Sequence, residues 1–219
     1  MQDIHQTNEP VWEVVSYLTL RRLVGFLGFA LPILVAAGCA AMGEWEGLER
    51  SISAYYHTVM RDLFVGILVT IGCFLFAYRG YSRLDDRVGD IAGLCAAIAA
   101  FFPCNDVLAG GSGAWIGAIH LIAATGLFLL LAFFSLRLFT KTREGVPPTP
   151  EKLIRNKIYV ACGVIILVCI ALISLYMIFL KETTLARYQP VFWLETFALW
   201  AFGTSWFVKG RTLLQDAKS

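Results

Sequence analysis

Six apolar runs divide this chain, each close to the roughly 20 residues that a helix needs to cross the hydrocarbon core of a bilayer. They fall at residues 23–42, 63–80, 90–108, 115–139, 157–180 and 191–208. A run of that length closes all its backbone hydrogen bonds as a helix, the only open-ended form that hydrocarbon tolerates. Residues 1–219 therefore read as one domain, an all-α polytopic membrane protein built as a bundle of six transmembrane helices. Composition agrees from two directions: 58% of residues are hydrophobic and only 16% charged, against about 45–50% and about 25% in soluble domains.

The sequence also orients the bundle. Fourteen of the 18 Lys and Arg residues flank the spans on the side of the N-terminus, and only Arg50, Arg61, Lys181 and Arg187 lie on the other side. Basic loops stay in the cytoplasm, so both termini are expected there and the protein is expected in the cytoplasmic membrane. The net charge of +2 carries no signal for nucleic acid. Trp12, Trp45, Trp115, Trp193 and Trp206 fall near span ends, as an interfacial aromatic belt requires. Before the first span, Trp12 to Leu18 could form a short interfacial helix. Residues 141–156, with three prolines, read as the one real linker. Arg83, Asp85, Asp86, Arg87 and Asp90 read as a solvated loop, and the basic cluster after the fourth span reads first as a topology signal.

The six cysteines show no C-x-x-C pair and no metal-ligand spacing, which favours small packing residues. Arg21-Arg22, an apolar core and Leu34-Val-Ala-Ala-Gly-Cys39 resemble a lipoprotein signal, but five further spans favour retention as an ordinary first span. A Cys39–Cys104 disulfide near the outer surface is conceivable.

The densest polar and aromatic passage is Ser51-Ile-Ser-Ala-Tyr-Tyr-His-Thr-Val-Met-Arg-Asp62, which leads straight into the second span. Its Arg61 and Asp62 sit where water meets membrane, with His57 just above. The fourth span enters from the same side at Trp115, which puts His120 about 7 Å down the helix. Glu195 lies a similar distance into the sixth span, and Asp106 ends the third. Ionisable groups inside spans cost about 2.5–3.5 kcal/mol, face the bundle interior and commonly mark function. The plain alternative is a set of interfacial charges with a structural Arg61–Glu195 or His120–Glu195 pair.

These residues carry a resemblance. The serine-rich motif, Phe102-Pro-Cys-Asn-Asp106 and His120-Leu-Ile-Ala-Ala resemble a family of six-span prokaryotic membrane proteins of unknown function. That family is similar to the damage-regulated autophagy modulator proteins and the GPI-anchor-remodelling membrane proteins. The resemblance spans about residues 20–210 and singles out Ser53, Pro103, Asp106 and His120, with Tyr55-Tyr-His57 richer in aromatics than the pattern. It implies a role tied to lipids without naming a reaction. Ser53-x-x-x-His57 also resembles part of the ceramidase and adiponectin-receptor type of hydrolase, whose paired H-x-x-x-H is missing here.

Three functional classes follow. The leading one is a polar pocket that binds or senses a lipid headgroup through Ser53, Tyr56, His57, Arg61 and Asp62. The second is an intramembrane lipid-modifying enzyme with His120 as base and Glu195 or Asp106 orienting it. The third is a structural membrane protein without a ligand. Membrane lipids are the expected partners, no nucleic acid is expected, no metal set is evident, and no cofactor can be named from these residues.

Overall fold

The structure is a computed structural model, and it describes residues 11–44, 46–80, 82–105, 113–142 and 148–210, with side chains from Leu18 onward. Six α-helices occur among the described residues: α1 (Val11–Ala41), α2 (Arg61–Ala77), α3 (Arg83–Phe101), α4 (Ala114–Phe133), α5 (Pro150–Leu175) and α6 (Pro190–Lys209). Two of them run on through a widened π turn, α4 at Phe134–Leu138 and α5 at Tyr176–Leu180. A tight 3-10 turn at Ser53–His57 leads into α2, and another at Thr184–Tyr188 precedes α6. No strand occurs among the described residues.

The chain is a helical membrane protein. Four segments, Leu18–Ala41, Ala114–Leu138, Pro150–Leu180 and Pro190–Lys209, are long and apolar enough to cross a bilayer. The 17 residues of α2 reach only about 25 Å, and the first two turns of α3 hold Arg83, Asp85, Asp86, Arg87 and Asp90.

Each helix packs on its neighbour in sequence, and α6 returns against α1 to close the ring. Glycine sets two of these approaches. A methyl group added at Gly93 of α3 would lie 2.6 Å from the Gly72 carbonyl oxygen of α2, and one at Gly203 of α6 would lie 2.8 Å from the Gly25 oxygen of α1. Backbones in hydrocarbon gain by such contact, because lipid offers no hydrophobic force to hold helices together.

Several boundaries differ from the sequence expectations. The expected short helix at Trp12–Leu18 is instead continuous with the span, part of one 31-residue α1 (Val11–Ala41). The expected solvated loop at 83–90 is the start of α3, with the acidic Asp85 and Asp86 in its first turn, where the helix dipole favours them. The expected linker ends early: Thr149 accepts a hydrogen bond from the Lys152 N–H (3.2 Å) and Pro150 fills the first helical position, so α5 starts there. Of the tryptophans expected in an interfacial belt, Trp115 (60%) and Trp193 (43%) are exposed, whereas Trp206 is fully buried. Cys73 is exposed rather than packed inside, and the described cysteines are all free, with no Cys39–Cys104 bridge. Trp45, Asp106 and the side chain of Trp12 lie outside the described residues.

Candidate functional site

The turn before α2 is built from short polar side chains that bond to nearby backbone. Ser51 Oγ accepts from the Ala54 N–H (3.1 Å) and shares a hydrogen bond with Ser53 Oγ (3.1 Å). Thr58 Oγ1 donates to the Tyr55 carbonyl (2.9 Å) and accepts from the Met60 N–H (3.1 Å), which closes the turn and opens the helix. Ser and Thr compete with regular structure in this way, so a tight turn forms between α1 and α2. Cys39 of α1 reaches Thr58 Oγ1 from below (3.5 Å).

Three longer side chains lock the turn to the bundle. Tyr55 is fully buried, tilts its ring against Phe192 of α6 (6.2 Å between centroids) and accepts from the Glu49 N–H (3.5 Å). Burial pushes its phenol up from the ordinary tyrosine value, ahead of the smaller opposing pull of the Glu49 N–H. Glu195 of α6 accepts from the Ile52 N–H at 2.6 Å, and the Ser53 backbone also contributes. Its carboxylate thus caps the start of the 3-10 turn, where backbone N–H groups point outward and favour an anion. Cys104, just past α3, donates its thiol hydrogen to the Ser53 carbonyl (3.1 Å).

His120 is buried at 6% exposure, and its Nδ1 lies 2.8 Å from the Phe102 carbonyl. A carbonyl only accepts, so this nitrogen carries the proton and the ring clamps the end of α3 to α4. The sequence-predicted pairing of His120 with Glu195 is therefore replaced by two separate contacts with backbone. Nor does Arg61 pair with Glu195: its Nη2 donates to Tyr56 Oη (3.1 Å), and its guanidinium lies over the Tyr56 ring (4.7 Å). His57 meets the same ring edge-on at 5.4 Å. His57, Arg61 and Asp62 are exposed, whereas Ser53, Tyr56 and Glu195 are partly buried.

The predicted residues thus separate into two layers. Ser53, His120 and Glu195, joined by Tyr55 and Cys104, form an inner layer whose polar groups bind backbone. Tyr56, His57, Arg61 and Asp62 form an outer rim. Tyr55 and Cys104 were missed as site residues. Adjacent residues in a tight turn point to different sides, so of the pair Tyr55-Tyr56 one had to face inward, but the pair alone does not say which. No three His, Cys, Asp or Glu side chains converge as a metal set among the described residues.

No protein-family model, no curated protein and no solved structure matches the chain significantly.

Proposed function

We propose that this chain is a six-span protein of the cytoplasmic membrane, with both termini inside, that binds a lipid headgroup at the rim of the Ser51–Asp62 turn. One observation carries the reading: Arg61 is an exposed cation stacked on Tyr56, on the first turn of an apolar helix, beside a turn pinned from behind by Tyr55 and Glu195. A guanidinium held in place gives up little freedom on meeting a phosphate and can donate two parallel hydrogen bonds. His57 and Asp62 stand beside it to meet the phosphate or a headgroup ammonium or hydroxyl. The six-span topology draws on the strong basic bias toward the side of the termini and on the glycine contact that lets α2 and α3 cross as one pair. The resemblance to the six-span family and its lipid-handling relatives points the same way.

Acid–base catalysis draws less support. It needs a carboxylate or nucleophile within about 3 Å of His120, and the hydrogen bond that holds the ring goes instead to the Phe102 backbone carbonyl through Nδ1, which leaves Nε2 as the nitrogen that could act as base.

The test is native mass spectrometry of wild type, Arg61→Gln and Tyr56→Phe purified from membranes. Wild type should retain phospholipid; Arg61→Gln should lose most of it and Tyr56→Phe part of it. Equal retention in all three would sink the proposal.

A further inference from the structure

We propose that the opposite end of the bundle holds a second, separate site that takes a phosphate group between α1, α5 and α6. It lies about 21 Å from Glu195 along α6, the length of the 14 residues to Lys209.

Three cations from three helices stand over one connected group of aromatic rings. The Arg21 guanidinium lies 5.5 Å from the Tyr78 ring centre, Lys209 Nζ 5.2 Å from that of Phe139, and Lys152 Nζ 5.6 Å from that of Tyr159. Tyr78 and Phe139 each lie 5.4 Å from Trp206, and Phe139 lies 5.5 Å from Tyr159. Lys152 also donates to the Phe139 carbonyl (2.8 Å). The charges of Arg21, Lys152, Arg155 and Asp85 all act on the Lys209 ammonium. Asp85 is fully buried and forms an ion pair with Lys141.

Two buried polar atoms point to the same ligand. Trp206 is fully buried, and its Nε1–H has no hydrogen-bond partner among the described residues. Asn156 Oδ1 is also buried without one. Asn156 stands four residues after Lys152 and three before Tyr159, on the same face of α5. Buried polar groups in native proteins are nearly always bonded, so an orphan donor beside a cation cluster marks the place of an acceptor. Phosphate supplies acceptor oxygens to the ammonium, guanidinium and indole N–H, and a phosphate or headgroup hydroxyl supplies the donor that Asn156 lacks. The widened turn Phe134–Leu138 lies directly before Phe139, and such π turns recur at functional sites. An anionic phospholipid and a soluble phosphate share this chemistry.

The experiment uses the full chain in phosphatidylcholine nanodiscs and reads thermal unfolding. One arm titrates inorganic phosphate against sodium chloride of equal ionic strength; the other replaces part of the lipid with phosphatidylglycerol. Stabilisation by inorganic phosphate identifies a soluble ligand, and stabilisation by phosphatidylglycerol alone identifies a lipid. In the responding arm, Lys209→Gln and Lys152→Gln should weaken the apparent affinity by about ten-fold or more. Lys157→Gln, exposed on α5, should leave the response unchanged. If Lys209→Gln does not fold, Arg155→Gln serves in its place. The inference is overturned if neither probe stabilises beyond chloride, or if the response survives in the Lys152 and Lys209 variants.

Discussion

The two ends of the bundle solve the problem of polar groups near hydrocarbon in opposite ways. At the Ser51–Thr58 end the inner polar side chains turn to backbone: Glu195 to the Ile52 N–H, His120 to the Phe102 carbonyl, Cys104 to the Ser53 carbonyl. At the basic end they turn to rings and to one buried carboxylate, with Arg21, Lys152 and Lys209 over Tyr78, Tyr159 and Phe139 and Lys141 on Asp85. The first arrangement satisfies a loop and makes it rigid. The second gathers charge and leaves Trp206 Nε1 and Asn156 Oδ1 without partners among the described residues. Rigidity suits a platform that displays Arg61, and gathered charge suits an anion.

The largest expected effect comes from breaking the basic end at its carboxylate. Asp85→Ala removes a fully buried partner from among several cations, and loss of one member of a buried pair typically costs about 3–5 kcal/mol. Lys141 is 35% exposed, so the lower figure is expected. Reversible unfolding in mild detergent measures it, and a loss under about 1 kcal/mol would mean that the ion pair is not formed.

Breaking the other end should cost less. Glu195→Ala strands the Ile52 N–H and should destabilise by about 1–3 kcal/mol, whereas Glu195→Gln keeps an acceptor and should cost less than about 1 kcal/mol. If the two variants behave alike, Glu195 acts through something other than this backbone cap. Cysteine labelling of the 51–58 turn would show the same order, with Ala the more reactive background.

A smaller effect is expected at alkaline pH. The folded protein holds the Tyr55 proton more tightly than the unfolded chain, whose phenol titrates near the model-compound value of 10.0. Above that pH the unfolded state loses its proton first, so this contribution to stability falls as pH rises. Tyr55→Phe should flatten the alkaline side of the stability profile. An unchanged slope would mean that the phenol is open to water. Smallest of all, Arg61→Gln should shift stability by no more than about 0.5 kcal/mol, since the group is exposed. A large loss there would turn the rim into structure and remove the contrast between the two layers.

Much of the site was readable as depth. Counting residues from the start of each span put Glu195 and His120 near the level of the Ser51–Asp62 turn, because a helix advances a constant distance per residue. Their partners were not readable. Glu195 bonds a residue 143 positions away and His120 one 18 positions away, and both partners are backbone groups, which leave no mark in side-chain patterns. Asp85 looked solvated because its neighbours in sequence are charged, yet Lys141, 56 positions on, draws it inside. Trp206 looked like an interfacial anchor because it lies near a span end, and the rings of Tyr78, Phe134, Phe139 and Phe202 bury it.

Hydropathy and helix length, both local quantities, were enough to read a helical membrane protein from the chain. Only the tertiary structure decided which atoms answer the polar residues. That depends on how each helix is rotated and how near its neighbours come, and both follow from contacts such as Gly72 with Gly93 and Gly25 with Gly203. Those contacts join residues 21 and 178 positions apart, a range at which no local pattern carries information.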